Sequence, residues 1–324
     1  MISEANQQSE ISDNYAGSLS VSLPVDRMRD LAQINIAKAV TAIASEWLVI
    51  IIVITLFHQF WHPFLYPIAV MFIGARQHAL AVLQHDAAHY RLFPNKRWND
   101  AVGEVLLAWP ILISNQYFRE YHFLHHRYIG TEKDGNRIQY GTHTPTGEPT
   151  PAWQFPKQRI ALVFWFLLRI SGVAGAIYLA RSIHRILTQG SISYRLLNLL
   201  YYAAILVIIF LVNGGQLFLI YWIIPLCTWF AGTNLLRIAG EHSAIDRPDN
   251  FYRLTRTTIP SWFDRVFIVP RNISYHLEHH IYPHVPFYKL PELHDRLMAQ
   301  ESYCQNSQIT RGYGQVLREL TGDR

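Results

Sequence analysis

Charge is scarce in this chain. Only 16% of its 324 residues are Asp, Glu, Lys or Arg, against roughly 25% in ordinary soluble domains. A wholly water-exposed surface is hard to build from so little. Cysteine is scarcer still: Cys227 sits in an apolar run and Cys304 near the C-terminal end. The two form no C-x-x-C motif and no disulfide framework, which fits a reducing, cytoplasmic side. They also leave no thiolate set for an iron–sulfur cluster or a thiolate-bound haem. Runs of Lys and Arg and zinc-knuckle spacings are absent, so nucleic acid is not an expected partner. The first 25 or so residues lack both a basic stretch and an apolar core and are rich in Ser, Asn and Gln. They read as a mobile polar tail over residues 1–30, not a signal peptide.

Apolar residues are plentiful, at 50% of the chain, with 14% aromatics. Four runs have roughly the ~20-residue length that crosses a bilayer core: about 37–57, 63–83, 196–213 and 216–236. The first two are joined by HQFWHP and the last two by NGGQ, links short enough to predict two antiparallel hairpins. Glu46 interrupts the first run, so either the span starts later or Glu46 faces a protein partner. Residues 99–114 are too short to span and contain Pro110, and the run 159–181 carries Arg169 at its middle. Both are assigned to the interface. Residues 135–158 are a Pro/Gly/Thr-rich loop. Both inter-helix links lack Lys and Arg, whereas Arg91, Lys96, Arg97, Arg119, Arg127, Lys133, Arg181, Arg185 and Arg195 fall on the opposite side. The positive-inside rule makes that side cytoplasmic. The expectation is a multi-pass, all-α membrane protein, with four transmembrane helices under a helical cytoplasmic cap and both termini in the cytoplasm. The membrane domain would cover 31–298, with a polar C-terminal tail over 299–324.

Histidine gives the cap its chemistry. His85 and His89 are spaced H-x-x-x-H, and His122, His125 and His126 form an H-x-x-H-H box that His276, His279 and His280 repeat. On a helix, residues three and four apart share a face, so each box aims its imidazoles in one direction. These boxes hold eight of the sixteen histidines. A structural zinc needs about four ligands, so the excess argues for two metal ions. Imidazole suits zinc, copper, iron and nickel. A binuclear iron site rich in nitrogen supplies O2-dependent hydrogen abstraction from an unactivated C–H bond. His242, just past the fourth span, is a ninth ligand candidate. Asp86, Glu120, Asp134 and Glu241 are candidates to orient ligand imidazoles through their second nitrogen. Glu278, two residues after His276, points away from the ligand face. His58, His62, His78, His143, His184, His284 and His294 are read as ordinary surface or packing residues.

Together, the box order, the spacings and the two hydrophobic hairpins resemble the integral-membrane fatty acid desaturase family from about residue 40 to 295. The resemblance implies a four-helix stem, a cytoplasmic cap with a di-iron site, O2 as co-substrate and two electrons from a separate donor such as ferredoxin or cytochrome b5. It implies His85, His89, His122, His125, His126, His276, His279 and His280 as metal ligands, with His242 matching an extra histidine that some members supply. The acyl-CoA branch carries an Asn four residues before that histidine, and Ile238 stands there instead. Zinc can occupy such a site in recombinant material. No separate catalytic side chain is expected beyond the metal centre. Desaturation of a fatty acyl chain, carried by a lipid or a thioester, is the first expectation. A hydroxylase or ketolase acting on a lipid or carotenoid comes second. A non-redox membrane metal-binding protein is a distant third, because a transporter would hold its ligands near the bilayer midplane.

Overall fold

The computed structural model describes residues 23–129, 131, 133–136, 156, 158–243 and 251–322. Its first helices are α1 (Val25–Leu31), α2 (Ile36–Gln59), α3 (Tyr66–Ala88), α4 (Lys96–Val102) and α5 (Asn115–Tyr128). They are followed by α6 (Arg159–Ile170), α7 (Val173–Thr188) and α8 (Ile192–Leu211). Helix α9 (Gly215–His242) passes through π-helical stretches at Leu219–Ile223 and Leu226–Phe230 before its regular end. The remainder holds β1 (Thr257–Ile259), α10 (Trp262–Phe267), α11 (His276–Ile281), α12 (Leu290–Met298), α13 (Glu301–Asn306), β2 (Ile309–Arg311) and α14 (Tyr313–Thr321).

Among the described residues, four helical segments are long and apolar enough to cross a membrane: Val25–Gln59, Tyr66–Ala88, Ile192–Leu211 and Gly215–His242. The second and fourth run past the expected ends at 83 and 236. Hydropathy falls there, but the helices continue because their polar side chains turn inward. His85 and Glu241 are buried, and His242 is half-buried. The expected single run 159–181 is instead two helices, α6 and α7, bent by 43°. Gly172 breaks them apart with φ +99°, a left-handed conformation that favours glycine. Arg169, at the end of α6, folds back over the Trp165 ring 3.6 Å away and donates to the Trp165 carbonyl at 3.0 Å.

Glu46 faces protein. It is 1% exposed, accepts from Arg76 of α3 at 3.0 Å and from Arg271 at 2.5 Å. One carboxylate thus ties two membrane helices to the segment that precedes the third box. Residues 99–114 are helical over most of their length but irregular. Helix α4 gives way to a π turn (Gly103–Ala108) and a 3-10 turn (Trp109–Ile111), and the chain reverses at Leu112, φ +59°. A Cβ at Gly103 would sit 2.8 Å from that of Ala87, so glycine lets this turn lie against α3.

The polar ends of the chain are structured more than their composition suggests. Within the expected N-terminal tail, Val25–Leu31 is helical and Leu31 is fully buried; residues 1–22 lie outside the described residues. Of the expected tail over 299–324, the described residues 299–322 are structured. Tyr303, Tyr313, Val316 and Leu320 are buried, and β2 pairs in parallel with β1, a small sheet in an otherwise helical fold. Amphipathic pieces of six to nine residues carry too few apolar positions to stand out in composition, yet each buries one face. The 135–158 loop falls mostly outside the described residues.

Candidate metal centre

Each box occupies a helix end that other residues fix. His85 lies in the last turn of α3 and His89 is its C-cap. Helix α5 starts at Ser114, whose hydroxyl accepts from the Tyr117 N–H, while the buried Glu104 carboxylate accepts the Asn115 and Gln116 N–H groups, each at 2.9 Å. Those caps satisfy donors that a helix leaves orphaned and set the direction of His122, His125 and His126. The third box is α11 itself, and His242 ends α9.

The nine histidines gather into two groups. His85, His89, His122, His126 and His279 place one nitrogen each within 4.8 Å of one another, and His125, His242, His276 and His280 do the same. The groups adjoin, with the His126 and His280 rings stacked 4.3 Å apart. Box two serves both groups, and box three does likewise.

The nitrogens face inward at metal-like spacing. His126 Nε2 lies 3.0 Å from both His122 Nε2 and His279 Nε2. In the second group, His276 Nε2 lies 3.0 Å from His242 Nε2 and 3.1 Å from His280 Nε2, which is 3.2 Å from His125 Nε2. Imidazole nitrogens bind a divalent ion at about 2.0–2.1 Å, so two of them at right angles on one ion lie about 3.0 Å apart. His85 Nε2 and His89 Nε2 are buried without a hydrogen-bond partner, a cost that an ion would remove. Burial, reinforced by neighbouring imidazoles, holds His89, His122, His126, His276, His279 and His280 well below the ordinary histidine pKa. They are therefore neutral and have a lone pair to offer at physiological pH. The donor set fits two metal ions.

The four acids expected to orient imidazoles do different things. Asp134 meets His125 Nδ1 at 2.7 Å, so that ring donates from Nδ1 and presents Nε2 as its lone pair. Asp86 is 3.8 Å from His85 Nδ1, and its other oxygen accepts the Phe287 N–H at 2.8 Å. Glu241 approaches His276 from the Nε2 side at 3.6 Å. Glu120 is exposed and lines a cavity without touching an imidazole, so the structure does not bring it to the rings. A group outside the expected set is Glu278, which is fully buried behind α11. It accepts from Tyr303 at 2.6 Å, from His294 at 2.5 Å and from Thr257. Its place inside the third box was the available signal. His294 thus anchors the box from behind, while His78 packs edge-on against Phe230. His143 lies outside the described residues.

A cavity of about 680 Å³ reaches His85 of the first box, which lines it. His85, Phe118, Val82, Phe230 and Ala231 line it together with residues of α7 and the start of α8. Arg181 and Arg185 of α7 and Gln189, its C-cap, also line it.

Comparison with known proteins agrees with this geometry. The family model described as Fatty acid desaturase matches residues 60–310. The chain is 28% identical to the dihydrorhizobitoxine desaturase of Bradyrhizobium elkanii, over 85% of this chain and 77% of that protein. It is 26% identical to the human sphingolipid delta(4)-desaturase/C4-monooxygenase and 25% identical to the protein of that name from Rattus norvegicus. Each match covers 72% of this chain and 66% of the relative. The matched region contains all nine clustered histidines. It is this match over most of the chain, around helices apolar enough to span a membrane, that makes the protein a member of the fatty acid desaturase family, and so an oxidoreductase.

Proposed function

We propose that the protein is an O2-dependent di-iron membrane enzyme that introduces a double bond into a fatty acyl chain carried by a lipid or a thioester. The observation that carries this reading is the division of nine clustered imidazoles into groups of five and four, beside a cavity that His85 lines. His85, His89, His122, His126 and His279 hold one iron, and His125, His242, His276 and His280 hold the other. Two reduced irons supply O2 activation and the abstraction of hydrogen from an unactivated methylene. Overall, two hydrogens leave adjacent carbons, two protons come from solvent, O2 becomes two waters, and a separate donor such as ferredoxin or cytochrome b5 delivers two electrons.

The chain's own residues bind, orient and exclude water. The cavity wall of Val82, Phe118, Phe230 and Ala231 sheds water and holds a methylene chain in register. Asp134 locks the His125 tautomer. The spans form two hairpins with HQFWHP and NGGQ on the far side, the bent pair α6–α7 lies in the interface, and all histidine boxes are cytoplasmic. The uncharged links and the nine cationic residues opposite them support that orientation.

Hydroxylation is the second reading, favoured because two of the relatives are named desaturase/C4-monooxygenase. Both outcomes begin with the same hydrogen abstraction. Mass spectrometry of lipids from a host expressing the protein separates them. A product lacking two hydrogens supports desaturation, and one gaining an oxygen shifts the reading to hydroxylation. An unchanged acyl and sphingolipid profile, with a competent electron donor co-expressed, overturns both.

A further inference from the structure

The two imidazole groups are unequal, five against four, and a buried carboxylate stands beside the smaller one. Glu241 immediately precedes His242 at the end of α9 and is 3% exposed. Its Oε2 accepts from Arg237 at 2.6 Å, one helical turn earlier, and lies 3.6 Å from His276 Nε2. Its Oε1 is buried with no hydrogen-bond partner.

Direction separates an orienting acid from a ligand. An acid that orients a metal-bound imidazole takes a hydrogen bond from the nitrogen turned away from the ion. Asp134 does this to His125, meeting Nδ1 while Nε2 faces the group. Glu241 approaches His276 from the opposite side. Its oxygen is near Nε2, the same nitrogen that faces His242 and His280, whereas His276 Nδ1 has no partner. An oxygen and a nitrogen sharing one ion at about 2.1 Å lie about 3.0 to 3.6 Å apart as the angle opens from about 90° to about 120°. The observed 3.6 Å falls at the wide end of that range. The buried Oε1 has no partner, which is costly, and a carboxylate that gives both oxygens to an ion held by His125, His242, His276 and His280 would leave neither unsatisfied.

From this we infer that Glu241 is a protein ligand of the second metal ion, completing the four-imidazole group. Arg237 holds the carboxylate in place through that same Oε2. The two ions are thereby made chemically distinct: one has neutral nitrogen ligands alone, and the other has one anionic oxygen. This inference rests on the two-ion reading above, and the experiment below distinguishes the failure of each.

The test compares purified full-length wild type with Glu241→Leu, Arg237→Leu and the double variant that removes both charges. Each is loaded with cobalt(II) and followed by metal analysis, chelator competition and d–d absorption. Wild type should hold two ions; a single ion at saturation sinks the two-ion reading itself. Glu241→Leu should keep the five-imidazole ion and bind the second with affinity lowered by more than the roughly 10- to 100-fold cost of losing an outer partner. Its d–d bands should change shape, because the ligand count of that ion changes. Arg237→Leu should retain both ions and the wild-type bands. The double variant, which leaves no buried charge unpaired, should behave as Glu241→Leu. If instead it recovers wild-type stoichiometry and spectrum, Glu241 serves only to pair Arg237 and the inference is overturned. A Glu241→Leu protein with unchanged d–d bands overturns it as well.

Discussion

Asp134 and Glu241 are both buried carboxylates near an imidazole, yet one stands behind its ring and the other in front. From spacing alone the two look alike, because neither the nitrogen that an acid approaches nor its second partner is encoded in sequence separation. The box histidines are legible for the opposite reason: helical periodicity aims them before any tertiary contact forms. Asp134→Asn should still bind two ions, with affinity weaker by about 10- to 100-fold, as read by chelator competition. His242→Ala should lose most of the second ion while the chain still inserts in membranes, since the apolar part of α9 is unchanged. His143→Ala, in the Pro/Gly-rich loop, should leave metal content as it is. Full metal content in the His242→Ala protein would make His242 a bystander.

Short elements decide where the boxes point, and these are the hardest to read from sequence. Box two depends on Glu104 as a cap for α5, but Glu104 sits in a segment whose π and 3-10 turns have no apolar period. Box three depends on Glu278, whose partners Tyr303 and His294 belong to α13 and α12. Nearby, the wholly buried Arg256 donates to the Gly240 carbonyl at 2.5 Å and to Glu319 of α14 at 2.8 Å, tying the end of α9 to the C-terminal helix. A polar composition after residue 299 suggests a dispensable tail, but these contacts make it part of the cap. A chain ending at Met298 would remove Glu319 from Arg256, a loss of about 3–5 kcal/mol, and would remove Tyr303 from Glu278. Such a chain should aggregate or lose metal when assayed by detergent size-exclusion chromatography and metal analysis. A truncated protein that is monodisperse with full metal content would show the segment to be peripheral after all.

At the scale of the whole molecule, the apolar runs mark the four membrane-length segments directly, because twenty consecutive apolar residues have few other uses. Where those helices end is less visible, since α3 and α9 continue beyond their apolar stretches to deliver His85 and His242. That continuation has a consequence for topology. If α3 and α9 carry their histidines on the same side of the bilayer, the chain crosses it an even number of times between those residues, and the bent pair α6–α7 cannot be a fifth span. The pair is apolar enough to be one by composition, but its 43° bend and Arg169 favour lying flat. Single cysteines introduced into HQFWHP, into NGGQ and beside His184 on α7, in a background lacking Cys227 and Cys304, test this with a membrane-impermeant thiol reagent. The two links should react from the far side alone. The site near His184 should react only once the cytoplasmic face is opened. Labelling of NGGQ from the cytoplasmic face would make α6–α7 a true crossing, place His242 and box two on opposite sides, and break the shared metal centre on which the proposed chemistry depends.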